Sequence, residues 1–304
     1  MAKANILITG GSGLVGTRLS EILIEKGYIV SHLSRKQDLN HQIKKFRWDP
    51  ANNFIDLNSL QNVDHIINLA GAGVADKRWT DERKAEILSS RINSSKLLFD
   101  TLSANSHKIK SVISASAIGY YGFSSSKKIF EENDKPASDF LANVTKLWED
   151  EIDKINQLNI RTVKLRIGVV LTNKGGALPQ IVLPIKLFAG SSLGSGDQIV
   201  SWIDLDDLCN MFVYSIENPK MNGAYNAVAP NPITYTELTK TIGIVLSRPI
   251  WPISVPRFLL KIAVGEMEVV ISESCNVNNK RITLETDFKY QFTNISDCLK
   301  KNLG

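Results

Sequence analysis

The chain has 304 residues, 43% of them hydrophobic and 22% charged, which suits an ordinary globular protein of one large domain or one plus a smaller companion. No run of about 18 uninterrupted apolar residues is present to span a bilayer, so no membrane partner is expected. The net charge of +5 is spread along the chain rather than gathered in a stripe, which disfavours nucleic acid as a partner and favours small anionic molecules only weakly.

The first residues, MAKANILITGG, lead into an apolar run without a signal-like segment and cleavage site, and a cytoplasmic location is expected. Asn5 to Thr9 reads as a buried strand, Gly10 to Gly13 as a glycine turn and Leu14 to Lys26 as a helix stopped by Gly27. Strands are predicted at Tyr28 to Leu33, Val63 to Leu69, Ser111 to Ala115 and Arg161 to Leu171, with a helix from about Asp81 to Leu102. This alternation predicts an α/β fold, a Rossmann-type doubly wound parallel sheet. After Leu171 glycines and prolines punctuate the chain. The expected division is residues 1–172 as the dinucleotide-binding domain and 173–304 as a smaller C-terminal substrate domain, with the strand at Gly223 to Val228 returning to the first sheet. The cleft between the two is the expected site for a small-molecule substrate.

The turn TGGSGLVG follows one strand and opens a helix, so Gly10, Gly13, Leu14, Val15 and Gly16 are candidates to cradle a pyrophosphate with backbone amides. At the end of the second strand an NAD-type site would present an acid to the ribose hydroxyls. Ser34 and Arg35 stand there instead and suit a 2′-phosphate, so NADP(H) is expected over NAD(H). Asp38 is the one nearby acid that could reverse this. The three cysteines, Cys209, Cys275 and Cys298, are too scattered for a disulfide framework or zinc site.

Beyond these features, the motifs NLAG (Asn68 to Gly71), KRWT (Lys77 to Thr80), SASAIGYYG (Ser114 to Gly122), LRIGVVL, GSGDQIVSWIDLDDL (Gly194 to Leu208) and APNP (Ala229 to Pro232) resemble an extended short-chain dehydrogenase/reductase. The branch is that labelled NAD-dependent epimerase/dehydratase-like, with a C-terminal domain of unassigned role. The resemblance covers nearly the whole chain. It implies that Leu69, Ala70 and Gly71, Glu86 and Arg91, and Val170 contact the cofactor, although Glu86 and Arg91 also read as a solvated helix face. It places Ser116 at the superfamily's catalytic Ser/Thr position, where a hydroxyl tying off the strand end is the alternative. Lys77, Arg78 and Trp79, and Ser195, Gln198 and Trp202, are candidates for the substrate wall; packing between domains explains them equally.

The Tyr-x-x-x-Lys pair that serves such enzymes as acid and base is absent: none of the seven tyrosines has a lysine four residues on, the superfamily's usual register places Leu141 and Thr145 at those positions, and a one-residue shift that brings in Lys146 sets Ala142 against it. Tyr120 and Tyr121, beside Ser116, are the substitute catalytic candidates, or they pack over the cofactor. The expected function is thus an NADP(H)-dependent epimerase or oxidoreductase for a carbonyl or sugar-nucleotide-like compound, the alternative being a non-catalytic NADP(H)-binding sensor or scaffold. The cluster Asp204, Asp206, Asp207 is expected to cap a helix rather than hold a metal. Oligomeric state is not legible.

Overall fold

The computed structural model describes residues 3–124 and 128–304. In it β1 (Asn5–Thr9) buries Ile6, Leu7 and Ile8 completely, as a strand covered on both faces must. α1 (Leu14–Glu25), β2 (Ile29–Ser34), β3 (Lys44–Asp49), the short β4 (Phe54–Ile55) and β5 (His65–Asn68) follow. Next come α2 (Asp81–Ala104), β6 (Ser111–Ala117), α3 (Phe140–Asp153) and β7 (Arg161–Ile167).

β3 is absent from the sequence expectation because KKFRWD carries three cations and one acid in six residues. Its signal is the alternation of Phe46 and Trp48, which pack into the core, with Lys45 and Arg47. Asp38 joins this strand: its backbone exchanges two hydrogen bonds with Lys45, both 2.9 Å. β2 pairs with the other edge of β3, so Asp38 lies one strand beyond the place where it would meet an adenine ribose.

The strand predicted as Arg161 to Leu171 is broken at Gly168, where an added Cβ would lie 2.3 Å from the Ser201 carbonyl oxygen. After this approach β8 (Val169–Leu171) leaves the large sheet. α4 (Ala177–Lys186), β9 (Ser191–Leu193), β10 (Ile199–Val200), β11 (Trp202–Asp204), α5 (Leu205–Glu217) and β12 (Gly223–Ala227) come next. The remainder is β13 (Ile233–Thr234), α6 (Tyr235–Leu246), β14 (Trp251–Val255), α7 (Arg257–Val264), α8 (Val269–Ser272), α9 (Lys280–Glu285) and α10 (Ile295–Leu303).

The large sheet has the order β12-β7-β6-β5-β1-β2-β3-β4, parallel throughout except for β4 against β3. α1 and α5 cover one face through Leu19, Ile22, Leu23, Leu208, Met211 and Phe212. α2 and α3 cover the other through Leu97, Leu98, Leu102, Trp148 and Ile152. This is a Rossmann-type fold. β12 pairs with β7 at the edge of the large sheet, and α5 packs in the same core cluster as α1. Among the described residues no helix is long and apolar enough to cross a membrane.

Asp204 caps α5 by accepting from the Asp206 amide at 2.8 Å, and its fully buried carboxylate also takes Lys301 Nζ at 2.7 Å and Asn302 Nδ2 at 3.2 Å. The acidic cluster therefore pins α10, the last helix, to the start of α5.

Candidate functional site

Three sequence features meet at the C-terminal edge of the parallel strands. The first is the glycine turn. Gly10 has a left-handed φ of +68°, and a Cβ there would lie 2.9 Å from the Leu69 backbone; at Gly16 it would lie 2.4 Å from the Gly10 carbonyl oxygen. Both positions exclude a side chain for the sake of the fold. Gly13 differs: its φ is −77° and the nearest atom to an added Cβ is Gly10 O at 3.3 Å. It is also the N-cap of α1 and offers no side chain to the Leu14, Val15 and Gly16 amides, which have no partner within the helix. An approach left open at Gly13 and uncapped amides beneath it suit a pyrophosphate.

The second is the turn after β5. Thr9 Oγ1 accepts from the Leu69 and Ala70 amides at 3.0 and 3.1 Å, and donates to the buried Asn68 at 2.7 Å. This holds Leu69 and Ala70 against Gly10. Arg91 reaches back from α2 over Gly71, donating to Ala72 O at 3.0 Å and Ile87 O at 2.9 Å while its guanidinium lies 5.2 Å from the Trp148 ring centroid. Among the described residues no carboxylate pairs with it, and burial, then the charge of Arg83, lowers its pKa to about 10. Glu86 is turned to Arg83 at 2.6 Å, and Arg83 in turn donates to Gly73 O.

The third is the end of β2, where Ser34 closes the strand and Arg35 beyond it is exposed, with no ion pair among the described residues. Val170 comes near the glycine turn instead: a Cβ on Gly176 would lie 3.5 Å from Leu14 and 3.9 Å from Val170 O.

The catalytic candidates are arranged otherwise than expected. Ser116, 4% exposed, donates to Glu149 Oε1 at 2.6 Å. Glu149 takes the fork of Arg166 at 2.8 and 2.9 Å, and Arg166 donates to the Tyr121 hydroxyl at 2.9 Å, which donates to Asn226 at 2.7 Å. Burial pushes the Glu149 carboxyl upward, but hydrogen bonds and charge from Arg166, with Lys164 and Ser116 adding, leave it below its ordinary range. Burial likewise pushes the Tyr121 phenol well up, and Arg166 only partly opposes this. Ser116 thus ties β6 to α3, because on β6 its side chain falls on the α3 face, while the Tyr121 hydroxyl ties the turn after β6 to Arg166 of β7 and Asn226 of β12. Sequence reading missed the partners. Their signal was Lys164 and Arg166, two cations at strand period in RTVKLRI, set against Glu149 and Asp153 at helical spacing on α3.

Tyr120 is half-buried, with the Arg166 guanidinium 3.6 Å from its ring centroid. Burial raises its pKa, partly countered by Arg166. At the positions that register gives to the tyrosine and lysine, Leu141 has no acid function and Thr145 Oγ1 donates to Leu141 O at 2.7 Å.

Of the substrate candidates, Trp202 is fully buried in the C-terminal core, its indole donating to Asn231 O, and faces no cleft. Gln198, 4% exposed, ties Leu193 O and Ile271 O together and accepts weakly from Ser195 at 3.5 Å. Both correct the sequence expectation, since full hydrogen bonding in the interior leaves neither free for a ligand. Arg78 donates to Ile262 O on α7 at 3.0 Å, Lys77 is exposed, and Trp79 packs edge-on to Phe140 at 5.2 Å. This loop is a bridge to the C-terminal segment, strengthened by Lys84 with Glu266.

A Rossmann sheet with this glycine turn is the architecture of dinucleotide-binding proteins. Residues 6–228 match the NAD dependent epimerase/dehydratase family, and residues 255–301 match a domain of unknown function, DUF1731. The chain belongs to that family. It is 36% identical over 299 residues to the Epimerase family protein YfhF of Bacillus subtilis, covering 98% of this chain and 97% of that one. It is 34% identical to the Epimerase family protein SDR39U1 homolog, chloroplastic, of Arabidopsis thaliana, covering 98% and 86%. The crystal structure of human epimerase family protein SDR39U1 (isoform 2) with NADPH superposes with a TM-score of 0.86 at 28% identity, covering 98% of both chains. At 17% identity and a TM-score of 0.79, a UDP-glucuronic acid 4-epimerase of Bacillus cereus shares the fold.

Proposed function

We propose that this chain binds NADP(H) along the glycine turn and acts as an oxidoreductase or epimerase on a small carbonyl or sugar-nucleotide-like compound, without the Tyr-x-x-x-Lys pair. The observation that carries the reading is the end of β2, where Arg35 is exposed and free of ion pairs among the described residues while Asp38 is held beyond β3. The human relative's structure with NADPH supports the same cofactor here. Gly13 and the α1 amides hold the pyrophosphate, Ser34 and Arg35 the 2′-phosphate, and Leu69, Ala70 and Val170 line the path toward the nicotinamide. Arg91 supplies a positive charge at the turn after β5.

The bound dinucleotide supplies hydride transfer. The chain's own part is to orient it and to deliver a proton to the substrate oxygen. Ser116 and Tyr121 are committed to the Glu149–Arg166 network, so Tyr120 is the remaining phenol of the cluster. Its raised pKa keeps it protonated at neutral pH and makes it a weak donor. A well-positioned acid or base contributes about 10²- to 10⁴-fold, so turnover is slow.

The commitment of Ser116 and Tyr121 favours a second reading, a non-catalytic NADP(H) sensor or scaffold. NADPH oxidation with carbonyl compounds and sugar nucleotides separates the two. Slow turnover lost in Tyr120→Phe at unchanged NADPH affinity supports the enzyme. Tight binding without turnover on any of them supports the sensor.

A further inference from the structure

Ser34, the last residue of β2, is paired in register with Arg47 of β3. Neighbouring strands lie about 4.8 Å apart, and side chains alternate between the two faces. Leu33, Phe46 and Trp48 pack in the core beneath α2 and α3. Ser34 and Arg47 consequently share the opposite face with His32, whose ring lies 2.5 Å from where a Gly11 side chain would begin. Arg47 thus stands on the glycine-turn face, one strand outward from Ser34.

Its anionic neighbour on β3, Asp49, feels the charge of Arg47 but forms no ion pair with it among the described residues. Arg47 is exposed, and among the described residues it forms no ion pair. Asp49, two residues on, is engaged by the amide and side chain of Asn52 at 3.3 and 2.8 Å. The Arg47 guanidinium rests 5.3 Å from the Phe54 ring centroid, a platform that holds a planar cation near the surface while leaving its N–H edge free.

We propose that Arg47 is a second 2′-phosphate-binding residue, closing on the dianion from β3 while Arg35 approaches from β2, with Phe54 as its platform. The inference rests on the NADP(H) reading and extends it to a residue that neither the end of β2 nor the glycine turn contains. Two guanidinium forks match a phosphate monoester's three terminal oxygens, whereas a bare ribose hydroxyl gives Arg47 no charged partner.

The test is calorimetric titration with adenosine 2′,5′-bisphosphate and with adenosine 5′-monophosphate, using the parent, Arg35→Ala and Arg47→Met. Methionine keeps an apolar stem on Phe54 and removes the charge. The expected result is that the parent prefers the bisphosphate and Arg47→Met weakens it about tenfold, leaves the monophosphate unchanged and lessens the salt dependence. A parent that prefers the bisphosphate together with an Arg47→Met variant of equal preference overturns the role of Arg47, leaving it as cover for the sheet edge. Equal affinity of the parent for both nucleotides overturns the NADP(H) reading, and the inference with it.

Discussion

The Ser116 hydroxyl donates to Glu149 at 2.6 Å, and the same carboxylate takes the fork of Arg166. Ser116→Ala therefore removes one hydrogen bond to a buried charge and should lower stability by about 1.5 to 3 kcal/mol, with NADPH affinity unchanged. Glu149→Ala leaves Arg166 buried without its carboxylate and should cost more, about 3 to 5 kcal/mol. Urea unfolding of the two variants checks this; an Ser116→Ala variant as stable as the parent but devoid of turnover would return the serine to the catalytic role.

The two glycines of the turn should respond differently. In Gly16→Ala the new methyl meets Gly10 O at 2.4 Å and Gly11 Cα at 2.7 Å, so the turn must shift and the melting temperature falls. Gly13→Val meets nothing closer than 3.3 Å at its Cβ, so the fold survives while the pyrophosphate is shut out. Melting curves and NADPH titration measure both effects, and a Gly13→Val protein that binds as well as the parent contradicts the placement of the cofactor.

The glycine turn was legible in the sequence because an apolar run, three spaced glycines and a helical pattern are local signals. What was not legible depends on side-chain direction and on partners distant in the chain. Ser116 looked catalytic by position, but which neighbour it meets is decided by β6 alternation and by α3 packing. Trp202 looked available in a glycine-rich stretch, yet it fills the core shared by α4, α6 and α10. β3 was hidden by charge because it lies near the sheet edge, where one face is wet and cations are tolerated.

The half-buried Arg91 guanidinium is satisfied, among the described residues, by carbonyls and an aromatic face alone. Arg91→Met keeps the packing on Trp148 and removes the charge. NADPH affinity should fall about tenfold with little change in melting temperature. Unaltered affinity would make Arg91 a purely structural clasp on the loop after β5.

Stability should also depend on pH through two histidines. Burial first, then Lys45 and His41, lowers the His32 pKa to about 4, and burial lowers His65 to about 4 as well. In the unfolded chain imidazole titrates near 6.5. Between those values the unfolded state takes up protons that the native state does not, so stability is full above about pH 6.5 and declines toward pH 4. Urea unfolding at about pH 7.5 and pH 4.5 should differ by roughly 3 kcal/mol or more, with His65→Gln reducing the difference. Equal stability at both pH values would show that neither histidine is held neutral.

The central claim, that the end of β2 selects a 2′-phosphate, is tested most directly by calorimetric titration of the parent protein with NADPH and NADH, repeated for Arg35→Ala. A charge-assisted contact is worth about 1.5 to 3 kcal/mol, so NADPH should bind about tenfold or more tightly, and Arg35→Ala should erase most of that preference while leaving NADH affinity intact. Equal affinities in the parent, or an undiminished preference without Arg35, would contradict the account.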